Sequence, residues 1–343
     1  MNQVKVGVIG LGRMGQQHCR VYSSLRRALL VGVCDINPEA GRQVARRFDV
    51  PFFSNPDELI DSVEAISLVT PTPYHYSLAM KCIERGMPVM IEKPIAETLE
   101  QAELLTKAAE ANGSICQIGH IERFNPAYME MKNVLDEMSV LAINFRRLSA
   151  YAGSNTDVDV VLDLMIHDTD LVLNLVGEEP VSITASGLSA YGKAVDYAVA
   201  QLRFNHGPLV TLTASRLTEE KIRSIEVTAR EAFLESNLLS KTVTVHRRTV
   251  SQYLNHNKQN VKYRQESILE SVLVPVVEPL LSELQHFIDC VIEGKQPLVK
   301  PRDGFRALRL AIAIRDAIQD NLVDFSKNDS IPIELPEVVH RTV

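Results

Sequence analysis

The stretch Val4-Lys5-Val6-Gly7-Val8-Ile9-Gly10-Leu11-Gly12-Arg13-Met14-Gly15 decides the fold. An apolar run of strand length leads into a G-x-G-x-x-G, and a helical pattern follows. Each glycine has its own reason. Gly10 permits the tight turn, Gly12 lets the backbone approach a pyrophosphate, and Gly15 allows close helix–strand packing. The helix start, with Arg13 and Met14, offers N–H groups and a positive dipole end to phosphates. Asp35 closes the next apolar run, 20 residues beyond Gly15, the spacing expected of a ribose contact. A carboxylate accepts both ribose hydroxyls and repels a 2′-phosphate. Ile36 and Asn37, not an arginine, follow it. NAD is therefore expected over NADP, with Arg42, Arg46 and Arg47 on the next helix leaving NADP open.

Outward from this turn, apolar runs at 4–9, 29–34, 65–69, 89–91 and 114–118 alternate with helical segments such as 38–48, 76–85 and 99–111. Strands alternating with helices make βαβ units and a parallel sheet. Runs apolar on both faces fit a sheet covered on both sides. Two further segments end such strands, Thr70-Pro71-Thr72-Pro73-Tyr74-His75 and Glu92-Lys93-Pro94. Ligands of open α/β sheets bind outside the carboxyl ends of the strands. Thr70, Pro71, His75, Glu92 and Lys93 thus join the candidate cofactor site.

After about residue 125 the pattern changes. Segments 140–150, 181–188, 197–204, 209–214 and 225–229 read as strands, two of them joined by the hairpin turn Asn205-His206-Gly207. One long helix, 158–176, interrupts them, and 278–293 and 302–319 read as helices that pack back on the first domain. Residues 255–265 are polar and read as a loop. The expectation is an α/β chain with a Rossmann domain over 1–122. An α+β domain with a largely antiparallel open sheet should follow over 123–330, binding substrate and assembling oligomers.

Together, Gly10–Gly15, Thr70-Pro71 with His75, Glu92-Lys93-Pro94, and Asp163-x-x-x-His167-x-x-Asp170 resemble the glucose–fructose oxidoreductase / inositol dehydrogenase (Gfo/Idh/MocA) family over essentially the whole chain. The resemblance implies hydride transfer between a sugar or cyclitol hydroxyl and a nicotinamide, with Lys93 and His167 as the catalytic pair and Asp163 beside them. It also implies a homodimer or homotetramer built on the open sheet. Residues 119–126, 156–168 and Thr213-Ala214-Ser215-Arg216 are further similar to UDP-N-acetylglucosamine 3-dehydrogenases. Those enzymes make a 3-keto sugar that an aminotransferase, here a possible functional partner, then aminates.

The residues themselves support such chemistry. Oxidising a secondary alcohol needs a base for the hydroxyl proton and a charge to hold the developing alkoxide. Histidine is the default base near neutrality. On helix 158–176, Asp163, His167, Asp170 and Asn174 fall at helical spacing on one face among apolar neighbours. A polar stripe on a buried helix is costly unless paired or facing a cavity. An internally satisfied stripe remains the alternative, and Lys93, able to stabilise negative charge, tips the reading toward catalysis. Lacking a third nitrogen or sulfur ligand nearby in sequence, His167 with Asp163 and Asp170 is not read as a metal site. His120, Arg123 and Asn125 follow the sixth strand, where nicotinamide or substrate contact and a structural linker starting a helix at Asn125-Pro126 stand level. Tyr151, Thr156 and Arg216 are weaker candidates; Arg216 suits a diphosphate, and a surface ion pair stands at least level with that.

Composition narrows the partners. The net charge of −7 and the absence of a basic patch speak against nucleic acid and membrane surface. Five scattered cysteines without a C-x-x-C fit reduced cytoplasmic thiols, and no signal peptide or membrane span is read. An inositol dehydrogenase, a carbonyl reductase of the same frame and a non-catalytic NAD-binding sensor stay as alternatives to the nucleotide-sugar dehydrogenase.

Overall fold

The computed structural model describes residues 3–151, 158–249, 266–319 and 321–325; Thr156 and the polar stretch 255–265 lie outside the described residues. The chain divides into two compact units, Met1–Phe124 with Val277–Leu310, and Asn125–Val276 with Ala311–Val343. Val277–Leu310, which spans much of the two helices read as packing back on the first domain, falls in the first unit. The helix α8 (Pro279–Glu293) carries an apolar stripe, and its Leu280, Leu284, Phe287 and Ile288 are buried in the core around Val6, Tyr22 and Leu30 of the first unit.

The first unit is a parallel sheet of β1 (Val4–Ile9), β2 (Ala28–Cys34), β3 (Phe52–Phe53), β4 (Ala65–Leu68), β5 (Val89–Glu92) and β6 (Cys116–Gly119), in the order β3-β2-β1-β4-β5-β6. This is the doubly wound order whose reversal point, between β1 and β4, opens the ligand crevice. Helices α1 (Arg13–Ser24), α2 (Pro38–Phe48), α3 (Pro56–Ile60), α4 (His75–Glu84) and α5 (Leu99–Ala111) connect the strands. Strands β4, β5 and β6 are buried at every residue, which is why they read as mainly apolar runs, with Ser67, Glu92 and Gln117 as their buried polar members. At two residues, β3 is too short to make such a run.

The second unit opens with α6 (Pro126–Leu135). Its nine-stranded sheet has the order β14-β13-β12-β11-β7-β10-β9-β8-β15. The strands are β7 (Val140–Leu148), β8 (Ser182–Ser189), β9 (Tyr197–Arg203), β10 (Leu209–Ser215), β11 (Ile222–Ala229), β12 (Ala232–Asn237), β13 (Thr242–Thr249), β14 (Glu266–Ser271) and β15 (Leu322–Asp324). Pairing is antiparallel except for β10 with β7 and β15 with β8. The helix expected over 158–176 is in two parts: a π-helical turn, Val161–Met165, and then α7 (Ile166–Val176). The last helix, α9 (Pro301–Gln319), runs through Leu310, where the first unit ends. Among the described residues no helix is long and apolar enough to cross a membrane. All five cysteines are buried and unbridged.

Alternation along β7 turns Ile143, Phe145 and Arg147 inward. A buried guanidinium requires a partner, and α7 supplies one. Arg147 Nε donates to both oxygens of Asp168 at 3.0 Å, and Nη2 donates to Oδ1 at 2.7 Å. Removing one partner of such a pair leaves an uncompensated buried charge. Asp168→Ala should therefore destabilise the second unit by about 3–5 kcal/mol, measured by denaturant unfolding. A loss within a few tenths of a kcal/mol would show that the pair does not hold α7 to the sheet.

Candidate functional site

The glycine turn has no room for side chains where it crosses the sheet, and open room where a ligand would come. Gly10 has φ +93°, and a Cβ there would stand 2.5 Å from the Val69 carbonyl oxygen. A Cβ on Gly15 would stand 1.9 Å from the Gly10 oxygen. A Cβ on Gly12, by contrast, would meet nothing within 4 Å. Gly12 is also the N-cap of α1, and no side chain caps it. Arg13 and Met14 form the first turn, whose N–H groups suit phosphate oxygens.

Asp35 binds the end of β2 to this turn: Oδ2 accepts from Leu11 N–H at 2.7 Å and Oδ1 from Asn37 N–H at 2.8 Å. Ile36 beside it is 87% exposed. A carboxylate at the strand end, an open glycine and an uncapped helix start fit a dinucleotide. The arginines of α2 are placed otherwise. Arg42 lies 5.9 Å over the Phe52 ring and Arg47 5.4 Å over Phe48. A shallow cavity of about 410 Å³ beside α2, lined by Arg42, Arg46 and Pro51, includes none of the expected site residues.

The two strand-end loops are held from beneath. His75 opens α4 and is 1% exposed, its Nδ1 and Nε2 each 2.8 Å from a carbonyl oxygen, of Pro94 and Thr70 respectively. Burial pushes its pKa down, against the upward pull of these two carbonyls. Glu92 is buried as well: Oε1 is 3.1 Å from His18 Nε2, and Oε2 accepts from Lys93 N–H at 3.2 Å. Burial alone would raise the Glu92 carboxyl. The His18 hydrogen bond and the charges of His18 and Lys93 outweigh it and hold the carboxyl low. His75 and Glu92, expected at the cofactor, thus brace the loops that carry Thr70, Pro71 and the half-buried Lys93.

Beyond β6, three expectations change. Asn125 is the N-cap of α6: its Oδ1 accepts from Ala127 N–H and its Nδ2 donates to Leu238 O, both at 3.1 Å. A capped helix start, with Pro126 in its first turn, uses the amide that the sequence reading offered to the cofactor. Arg123 is 6% exposed, with Nη2 3.8 Å from Asp303 Oδ1, so it is a buried cation and not an open substrate contact. Arg216 is likewise internal. Its Nε donates to Asp196 Oδ1 at 2.6 Å and its Nη2 to Val195 O at 3.4 Å, an ion pair of the kind weighed against the diphosphate contact, here buried.

In the second unit, Asp163 lies in the π-helical turn and His167 in the first turn of α7, both half-exposed. Asp170 is 1% exposed. Asn174, read as part of the same stripe, accepts from Tyr128 O–H and from Lys132 Nζ of α6, so the far end of the stripe is structural. Asp159, half-buried before the turn, accepts from Leu162 N–H at 2.8 Å, and desolvation pushes its carboxyl above the usual range. The sequence reading missed Arg147 with Asp168, although Arg147 occupies an inward position of an alternating strand. It missed His18 too, which only its partners reveal. Among the described residues no group of histidine, cysteine and carboxylate side chains is placed to hold a metal ion.

Comparison with known proteins agrees with this geometry. Residues 4–120 match the oxidoreductase family with an NAD-binding Rossmann fold, and 152–323 match its C-terminal α/β domain. The chain belongs to the Gfo/Idh/MocA oxidoreductase family. It is 29% identical to the UDP-N-acetylglucosamine 3-dehydrogenase of Acidithiobacillus ferrooxidans, over 93% of this chain and 98% of that protein. It is 27% identical to the scyllo-inositol 2-dehydrogenase (NAD(+)) of Bacillus subtilis, over 94% and 96%. A solved structure of the Acidithiobacillus enzyme superposes with a TM-score of 0.85 at 28% identity, covering 95% of this chain and all 100% of that one. The apo scyllo-inositol dehydrogenase of Lactobacillus casei, 20% identical with a TM-score of 0.76, shares the fold. As a member of this family the chain is an NAD-binding oxidoreductase.

Gly12 offers a clean test of the cofactor site. Its φ of −62° suits alanine, and compatible Gly→Ala changes add about 0.4–1 kcal/mol of stability. Gly12→Ala should keep or raise the melting temperature while weakening NADH binding about tenfold or more, a change of about 1.4 kcal/mol. Fluorescence titration with NADH checks this, and an unchanged dissociation constant would contradict it.

Proposed function

We propose that the protein oxidises a secondary hydroxyl of a sugar, and that the substrate is a UDP-N-acetylhexosamine, UDP-N-acetylglucosamine, oxidised at C3. One observation carries the general reading. Asp163 and His167, one turn apart at the start of α7, are half-exposed while Asp168 and Asp170 beside them are buried, on a chain whose other unit carries a dinucleotide turn. Bound NAD supplies the hydride acceptor. His167 takes the hydroxyl proton as the carbon–hydrogen bond is broken and the ketone forms. The Lys93 ammonium stabilises the oxygen while it carries negative charge. Asp163, one turn before His167, favours the imidazolium that results.

The substrate rests on likeness in residues 119–126 and 158–168 and on the similarity to the Acidithiobacillus enzyme over nearly the whole chain. An aminotransferase that consumes the ketone is proposed as a functional partner, since oxidation of an alcohol by NAD is unfavourable near neutral pH. A homodimer or homotetramer on the outer face of the nine-stranded sheet is proposed as well, where Leu141, Leu209 and Phe233 are exposed. One finding favours a second substrate. Arg123 and Arg216, the expected diphosphate partners, are both buried beside carboxylates, and a cyclitol needs no such partner.

The experiment follows NADH formation by the purified protein with UDP-N-acetylglucosamine, scyllo-inositol and myo-inositol. The account predicts turnover with the nucleotide sugar. His167→Ala and Lys93→Ala should each lose about 10²–10⁴-fold in kcat while still binding NADH. NADH formed with an inositol but not with the nucleotide sugar would replace the substrate by a cyclitol. Near-normal rates in His167→Ala would remove His167 from the role of base.

A further inference from the structure

Beneath the Lys93 loop runs a chain of buried polar groups that the reaction itself does not use. His18, on α1, is 0% exposed. Its Nδ1 is 2.8 Å from Ser67 Oγ on β4, and its Nε2 is 3.1 Å from Glu92 Oε1 at the end of β5. Tyr22, one turn further along α1, directs its hydroxyl to Ser67 Oγ at 3.4 Å. The second oxygen of Glu92 accepts the backbone N–H of Lys93. Each group in this chain has a polar partner. Tyr22 O–H donates to Ser67 Oγ, Ser67 O–H reaches Met90 Sδ at 3.4 Å, His18 bridges Ser67 Oγ and Glu92 Oε1, and Glu92 accepts from Lys93 N–H.

Burying a carboxylate and an imidazole together is costly unless both are hydrogen-bonded, and an apolar pair would fill the same space without that cost. What the pair adds is a direct link. A single carboxylate joins α1, the helix whose start fits the dinucleotide phosphates, to the peptide that sets the direction of the Lys93 side chain.

We propose that His18 and Glu92 are positioning residues for Lys93, holding its backbone, through the two oxygens of one buried carboxylate, in register with the dinucleotide-binding helix. The inference rests on the catalytic reading of Lys93 given above. Residues that orient a catalytic group through hydrogen bonds typically cost about 10–100-fold when lost.

The test compares the full-length wild type with His18→Leu, His18→Gln and Glu92→Gln. Each is assayed for NADH binding and for kcat and KM with UDP-N-acetylglucosamine. Each is also subjected to brief labelling with acetic anhydride, with the rate at Lys93 read by mass spectrometry relative to the other lysines of the same sample. His18→Leu should lower kcat by about 10–100-fold with little change in KM or NADH binding. It should also change the labelling of Lys93 selectively. Glutamine keeps an N–H near the Nε2 position, so His18→Gln should recover most of kcat and the wild-type labelling ratio. Glu92→Gln, which keeps the shape but loses the charge, should fall between them, and it carries the test if His18→Leu fails to fold. A structural role alone would shift melting and all lysines together and would not be rescued by glutamine. Wild-type kcat and Lys93 labelling in His18→Leu, or in Glu92→Gln where the former does not fold, would overturn the proposal. A wild type inactive on both UDP-N-acetylglucosamine and the inositols would overturn the proposed function instead, and the labelling ratios would still decide the role of the pair.

Discussion

Space is the constraint on which the first unit depends. Helix α1 leaves β1 so tightly that a Cβ at position 15 would overlap the Gly10 carbonyl oxygen, and a Cβ at position 10 would overlap the backbone of Val69. Only glycine allows this approach, and the approach sets the helix start at the point where the sheet order reverses. From it follow the opening at Gly12, the reach of Asp35 to Leu11 N–H, and the depth at which His18 enters the sheet. Moving α1 outward by the width of a methyl group would break each of these at once.

The second unit depends on a different economy. Its sheet has one face against helices, and charged groups that fall on that face meet internal partners: Arg223 donates to the carbonyls of Leu148 and Ile222, and two other arginines take carboxylates. Arg147 takes Asp168, Arg216 takes Asp196, and Asp196 in turn accepts from the N–H groups of Ala190 and Tyr191. Such pairs add little net stability over an apolar core, yet breaking one is expensive. The first of them, Arg147 with Asp168, ties α7 to the sheet and so bears on where Asp163 and His167 emerge. The π-helical turn before α7 belongs to the same device, since π-helical turns are frequent at functional sites.

Much of this was legible in the sequence where physics acts locally. The parallel strands β1, β2 and β4 to β6 show as mainly apolar runs because both faces are largely covered. The glycine turn shows because three positions each exclude a side chain or demand an approach. Strands β12 to β14 did not show. In β12 the buried Ala232, Leu234 and Ser236 alternate with Phe233, Glu235 and Asn237, so no apolar run forms. Nor does sequence reveal which carboxylate a cation will meet. For Arg216 an ion pair stood beside a diphosphate contact, but its partner Asp196, 20 residues earlier across a hairpin, was not visible. Asn125 was half-legible, since Asn-Pro before a helix already spelled a cap. His18 was hidden most fully, because Glu92 lies 74 residues away.

The central claim is that the first unit is built for a dinucleotide whose ribose carries free hydroxyls, with Asp35 at the end of β2 excluding a phosphate there. The most direct measurement is the pair of dissociation constants of NADH and NADPH for the unmodified chain, at one ionic strength. The account predicts that NADH binds at least about tenfold more tightly, a difference of about 1.4 kcal/mol. Equal affinities, or tighter binding of NADPH, would contradict it.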